Sequence, residues 1–150
     1  MKLFDIYKQI KALRFLCAML FALSILPAKP VAAAEVIVHP GVQDQNLTVN
    51  LARAMFGMRQ AQWSDGTPVR VFVMPEQYSL HTNFCREVLN IYPYQLRQSW
   101  NRLVYSGTGQ APIEVASEQE MVQKVSVTPG AIGYINKVIS NDPVRPMSVR

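Results

Sequence analysis

The apolar positions of this chain change period within one stretch, residues 69–89, which reads VRVFVMPEQYSLHTNFCREVL. Residues 69–74 are β-branched or apolar at nearly every position, as a strand covered on both faces requires. Pro75 removes a backbone donor and ends the pairing. Beyond it Leu80, Phe84 and Val88 fall four apart, with Cys85 and Leu89 beside them, and Ser79 is placed to cap the helix they predict. A buried strand that runs into a helix leaves free peptide N–H groups, and the positive end of the helix dipole, at the strand's carboxyl end. That junction is where a small anion can sit in an α/β fold.

The flanking pattern supplies the rest of such a fold. Residues 35–39, EVIVH, are a short β-branched run stopped by Pro40-Gly41, and residues 41–46 read as a polar loop. Thr48 predicts a cap for a helix with Leu51, Ala54, Met55 and Met58 on one side and Gly57 as its left-handed stop. Residues 63–68, WSDGTP, are a turn cluster. Pro93 opens a further helix with Leu96, Trp100, Leu103 and Val104 on one stripe and Arg97 and Arg102 on its solvated side. Residues 106–109, SGTG, end it as a turn, because the Gly-Lys-Ser/Thr of a phosphate loop is missing. Ser117 and Glu120 have the spacing of a capping box for a helix to about Val127, with Met121, Val122 and Val125 inward. Residues 131–136, AIGYIN, read as a strand, and residues 145–149 as a last edge strand. This alternation predicts an α/β fold, a mixed sheet flanked by helices. Strands 35–39, 69–74 and 131–136 are its centre and are at least partly parallel.

The first residues carry the marks of an export signal: a basic start with Lys2, Lys8, Lys11 and Arg14, an apolar run over residues 15–26, and small residues at 31–34. Cleavage near Ala34 is expected, which places the remaining domain, residues 35–150, in the periplasm. The apolar run is short of the ~20 residues a membrane span needs. Removing it also changes the charge. Five of the 15 basic residues but one of the 10 acidic residues precede Glu35, so the formal +5 of the whole chain falls to about +1. A near-neutral domain lacks the basic face that nucleic acid requires, and no nucleic-acid partner is expected. Cys85 is then the one cysteine left, and its place between Phe84 and Val88 predicts a buried, inert thiol.

No residue constellation supports catalysis. His39 and His81 have no Cys or carboxylate neighbours at metal-ligand spacing, so no metal or other cofactor is implied. Ser79 and His81 are two apart at a helix start, where side chains diverge, and Glu118 and Glu120 have a capping role. The chain therefore reads as a non-enzyme.

Residues 51–66 (LARAMFGMRQAQWSDG), residues 68–89, the WNRLVYSGTGQAP segment and residues 128–135 (TPGAIGYI) together resemble the periplasmic phosphate-binding proteins, the soluble components of phosphate ABC transporters. The resemblance implies a single lobe of a type II periplasmic-binding-protein fold. In two-lobed members the helix after the matching strand begins with Arg, then Asp-Gly-Ser-Gly-Thr, which donate to phosphate. Here the matching residues 75–82 read PEQYSLHT: Ser79 is kept, while the arginine, the neighbouring acid and the second glycine are not. The implied ligand residues are Gln77, Ser79, His81 and Thr82, and the implied ligand is phosphate or another small oxyanion. Micromolar affinity needs about 8 kcal/mol, whereas a helix terminus contributes at most ~2 kcal/mol and a charge-assisted hydrogen bond about 1.5–3 kcal/mol. Tight capture therefore needs a second surface, from a partner or from a second copy in a homodimer. The alternative reading is an envelope interaction domain, the sensory partner of a membrane protein, that has lost tight ligand binding.

Overall fold

The computed structural model describes residues 34–150, so the predicted signal segment lies outside the described residues except for Ala34. Six strands form one mixed sheet: β1 (Glu35–Val38), β2 (Asn46–Leu47), β3 (Arg70–Val73), β4 (Ile113–Glu114), β5 (Ala131–Ile135) and β6 (Arg145–Val149). Their order is β2-β6-β1-β5-β3-β4. β5 runs parallel to β3 and antiparallel to β1, which confirms the expected centre. All five residues of β5 are buried, as a strand covered on both faces must be.

Two layers of helix cover the sheet. Helix α4 (Glu118–Val127) lies on one face and turns Met121 and Val125 onto Gly133 of β5. Neighbouring residues of a strand point to opposite faces, so Tyr134 faces the other layer. That layer holds α1 (Val49–Phe56), α2 (Ser79–Asn83) and α3 (Pro93–Tyr105). Phe84 stacks on Tyr134 with ring centroids 3.9 Å apart, and Phe56 meets Phe84 edge-on at 4.6 Å.

Several local expectations hold with their stated chemistry. Thr48 Oγ1 accepts from Leu51 N–H, and Ser117 Oγ from Glu120 N–H. The Glu120 carboxylate reaches back past the cap to Ala116 N–H, so only the serine half of the expected capping box forms. Cys85 is fully buried, and burial pushes its thiol up to about 12, so it is inert at neutral pH.

Others differ for identifiable reasons. Gly57 ends α1 with φ −78°, and it is Met58 that takes the left-handed conformation, at φ 60°. Gly57 is needed for space instead: a Cβ there would lie 2.8 Å from Arg53 O, and its carbonyl accepts from Ser99 Oγ at 2.8 Å. Beyond α2 the helix widens into a π turn, Phe84–Val88, in which Leu89 N–H bonds to Phe84 O. The extra residue per turn rotates the register, so Leu89 is fully buried and Val88 only half-buried. Val104 is 46% exposed because the last turn of α3 leaves the core behind. β6 is not an edge strand either: it lies between β1 and the two-residue β2, which is too short to show a period in sequence.

Candidate functional site

The predicted junction lies at the carboxyl end of β3. Val71, Phe72 and Val73 are buried, and pairing passes to the flanks as Val115 N–H donates to Val73 O and Met74 N–H to Tyr134 Oη. Pro75 then closes a turn in which Tyr78 N–H donates to Pro75 O. That turn already sets the helix start, so Tyr78 occupies the cap position and offers no side-chain bond. Ser79 is the first helical residue and does not cap the helix, contrary to the sequence expectation. The N–H groups of Ser79, Leu80 and His81 have no acceptor within a helix that starts at Ser79.

The four residues named from sequence are divided by this geometry. Gln77 and Ser79 are exposed, and Thr82 is half-buried. His81 turns inward and is 1% exposed, its Nδ1 2.6 Å from Tyr134 Oη and its Nε2 3.6 Å from Cys85 Sγ. Its imidazole is therefore not a donor to a ligand at the surface. Burial is the main force holding its pKa below the ordinary histidine value, with smaller opposed effects from Glu76 and Arg97. Burial likewise drives the Tyr134 hydroxyl upward, so both rings are neutral near pH 7.

A charged cluster beside the loop was missed. Arg97 of α3 pairs with Glu76 at 3.1 Å, approaches Glu114 at 3.9 Å, and lies 5.6 Å above the Trp100 ring. Two carboxylates and one guanidinium leave the mouth of the loop net negative, which opposes an anion. Nothing in the period of α3 signalled this, because an arginine off the apolar stripe is equally compatible with plain solvation. A cavity of about 940 Å³ lies beside the start of β1 and along β6. Glu35 and Glu87 line it, so it too disfavours anions. Among the described residues no three His, Cys, Asp or Glu side chains converge as a metal site, and no helix is long and apolar enough to cross a membrane.

No family profile and no curated sequence matches the chain. Solved structures do. PstS from Borrelia burgdorferi superposes with a TM-score of 0.60 at 18% identity, over 79% of this chain and 47% of that one. A Clostridium perfringens protein, described as a candidate phosphate ABC transporter substrate-binding protein and solved with bound phosphate, gives 0.60 at 16% identity, over 78% and 44%. An ABC-type phosphate transport receptor from Vibrio cholerae gives 0.56 at 14%, over 78% and 46%. The chain thus spans less than half the length of each of these structures. Its fold is that of one lobe of the phosphate-binding components of ABC transporters.

Proposed function

We propose that the described domain is an exported solute-binding-like module that takes a small oxyanion, such as phosphate, at the loop between β3 and α2. The observation that carries this reading is the set of N–H groups of Ser79, Leu80 and His81 that have no acceptor within their helix and no side-chain cap, with the Ser79 hydroxyl exposed beside them, at the carboxyl end of a central strand. The phosphate bound in the Clostridium perfringens neighbour supports the ligand class. Gln77 and Thr82 complete the donor set, while His81 contributes only its backbone. Half a cleft with a negative mouth binds weakly, so a second surface is required for tight capture.

That mouth also favours a second reading. Glu76, Arg97 and Glu114 fill the loop's edge with paired but net negative charge, near Tyr78, which is 40% exposed. Such a surface suits a protein contact, with an envelope membrane protein or a second copy, in a domain that has lost tight capture. Isothermal titration of the purified protein with phosphate, sulfate and carboxylates at low salt separates the two. Saturable heat with one oxyanion supports capture, and no heat with any of them leaves the interaction reading.

A further inference from the structure

Four arginines converge on the other side of α3 from this loop. A pocket of about 300 Å³ between α1 and α3 is lined by Arg53, Arg59 and Arg102. A second, of about 390 Å³, adjoins it through the shared residues Ile91 and Gln95 and is lined by Arg86, with Tyr92 and Tyr94 as its far wall. Neither lining contains a carboxylate, and neither contains any residue of the loop at 75–82.

Like charges gathered in this way repel unless something neutralises them. The fold does not supply it. Among the described residues every carboxylate except that of Glu87 is already taken by a backbone N–H, a side-chain donor or Arg97, and Glu87 lines neither pocket. Helix carbonyls are the usual alternative acceptors. Those ending α1 are consumed: Phe56 O by Trp100 Nε1, Gly57 O by Ser99 Oγ, and Ala54 O by the N–H groups of Arg59 and Gln60. Arg53 is fixed on Leu89 O at 2.5 Å and so forms a rigid positive wall. The side chains of Arg59, Arg86 and Arg102 make no hydrogen bond or ion pair among the described residues, and all three residues are exposed.

We propose that these joined pockets bind a compact polyanion of the pyrophosphate class, with adjacent oxyanion centres shared between the Arg53, Arg59 and Arg102 side and the Arg86 side. Guanidinium groups pair oxyanions through two parallel N–H bonds, and a ligand with two charged centres uses both pockets where a single carboxylate uses one. The pocket volumes lie at the lower end of those that hold small ligands.

The test is calorimetric titration of the whole protein with inorganic pyrophosphate and with acetate at matched ionic strength, followed by the Arg59→Ser/Arg102→Ser variant. Saturable pyrophosphate binding, at least tenfold weaker in the double variant, is the expected result. Amide shifts on titration should then centre on residues 53–59, 86–95 and 99–102, a readout that does not depend on the variant folding. Absence of pyrophosphate binding, binding no tighter than that of acetate, or binding indifferent to the two arginines overturns the proposal. Loss on Ser79→Ala instead would assign the anion to the loop between β3 and α2 and overturn it equally.

Discussion

His81 Nδ1 lies 2.6 Å from Tyr134 Oη, and the direction of this bond is fixed by a third group. Tyr134 Oη accepts from Met74 N–H at 2.8 Å, so its own proton goes to His81 Nδ1. The imidazole proton then sits on Nε2, facing Cys85 Sγ. One hydroxyl thus ties the end of β3 to the first turn of α2, and the loop that carries the candidate anion site is anchored from below.

Tyr134→Phe removes that hydroxyl and leaves Met74 N–H and His81 Nδ1 without partners inside the core. Unmade buried hydrogen bonds cost about 1–3 kcal/mol each, so the variant should lose about 2–4 kcal/mol by urea denaturation. A loss below ~0.5 kcal/mol would show that water or another group replaces the hydroxyl.

The same network makes stability depend on acid. His81 is held below its ordinary value of 6.5 in the folded chain and returns to that value on unfolding. Above about pH 6.5 both states are neutral and the full stability is present. As pH falls below it, the unfolded state binds the proton first, so stability declines, by at most ~1.4 kcal/mol per pH unit from this group. The decline ends only when folded His81 itself protonates. Denaturation between pH 8 and 5 should show this slope, reduced in His81→Gln, and identical slopes in the two proteins would dissociate His81 from it.

Ser79→Ala and Thr48→Ala should behave differently, although the sequence offers both residues as helix caps. Thr48 makes the cap bond, and its loss should cost about 1 kcal/mol. Ser79 lies inside its helix and is exposed, so its loss should cost less than ~0.5 kcal/mol. Equal costs in chemical denaturation would restore Ser79 as a cap.

What was legible in sequence follows from the range of the forces involved. Thr48, and Ser117 with Glu120, act on N–H groups within a few residues, and the runs of β1, β3 and β5 act through burial on both faces; all were readable. Tyr134 with His81, Glu76 with Arg97, and Ser99 with Gly57 join residues 53, 21 and 42 positions apart, and no local period encodes them. The candidate site divides in the same way. The turn and the helix were foreseen, but whether residue 81 faces the ligand or the core depends on a tyrosine from another strand.

Glu76→Gln tests the electrostatics of the loop. The pair with Arg97 is about two-fifths exposed on both sides, so its loss should cost less than ~1 kcal/mol. Removing one negative charge from the mouth should tighten phosphate several-fold in calorimetric titration at low salt, with the gain shrinking as salt rises. Unchanged or weaker binding would mean that the anion does not approach Glu76.

Gly130→Ala probes the turn that feeds β5. Gly130 stands at φ +73°, where a Cβ is strained, and a methyl group there would drive into the Pro68 carbonyl oxygen and meet Thr67 Cγ2 at 3.0 Å. The Pro68 oxygen belongs to the backbone and cannot simply rotate away. Gly130 O accepts from both Arg70 N–H and Trp63 Nε1, so the same residue aligns β3 with β5 and anchors the turn at 63–68. Strain of about 1 kcal/mol is the minimum for the left-handed conformation alone, and displacing backbone that carries two buried hydrogen bonds adds about 1–3 kcal/mol for each one lost. Gly130→Ala should therefore cost at least ~3 kcal/mol and shift the Trp63 fluorescence, because the indole loses its acceptor. Gly66→Ala, also at positive φ (+84°) but in open space, isolates the conformational cost and should lose only about 1 kcal/mol. Equal losses in the two variants would show that contact with Pro68 contributes nothing.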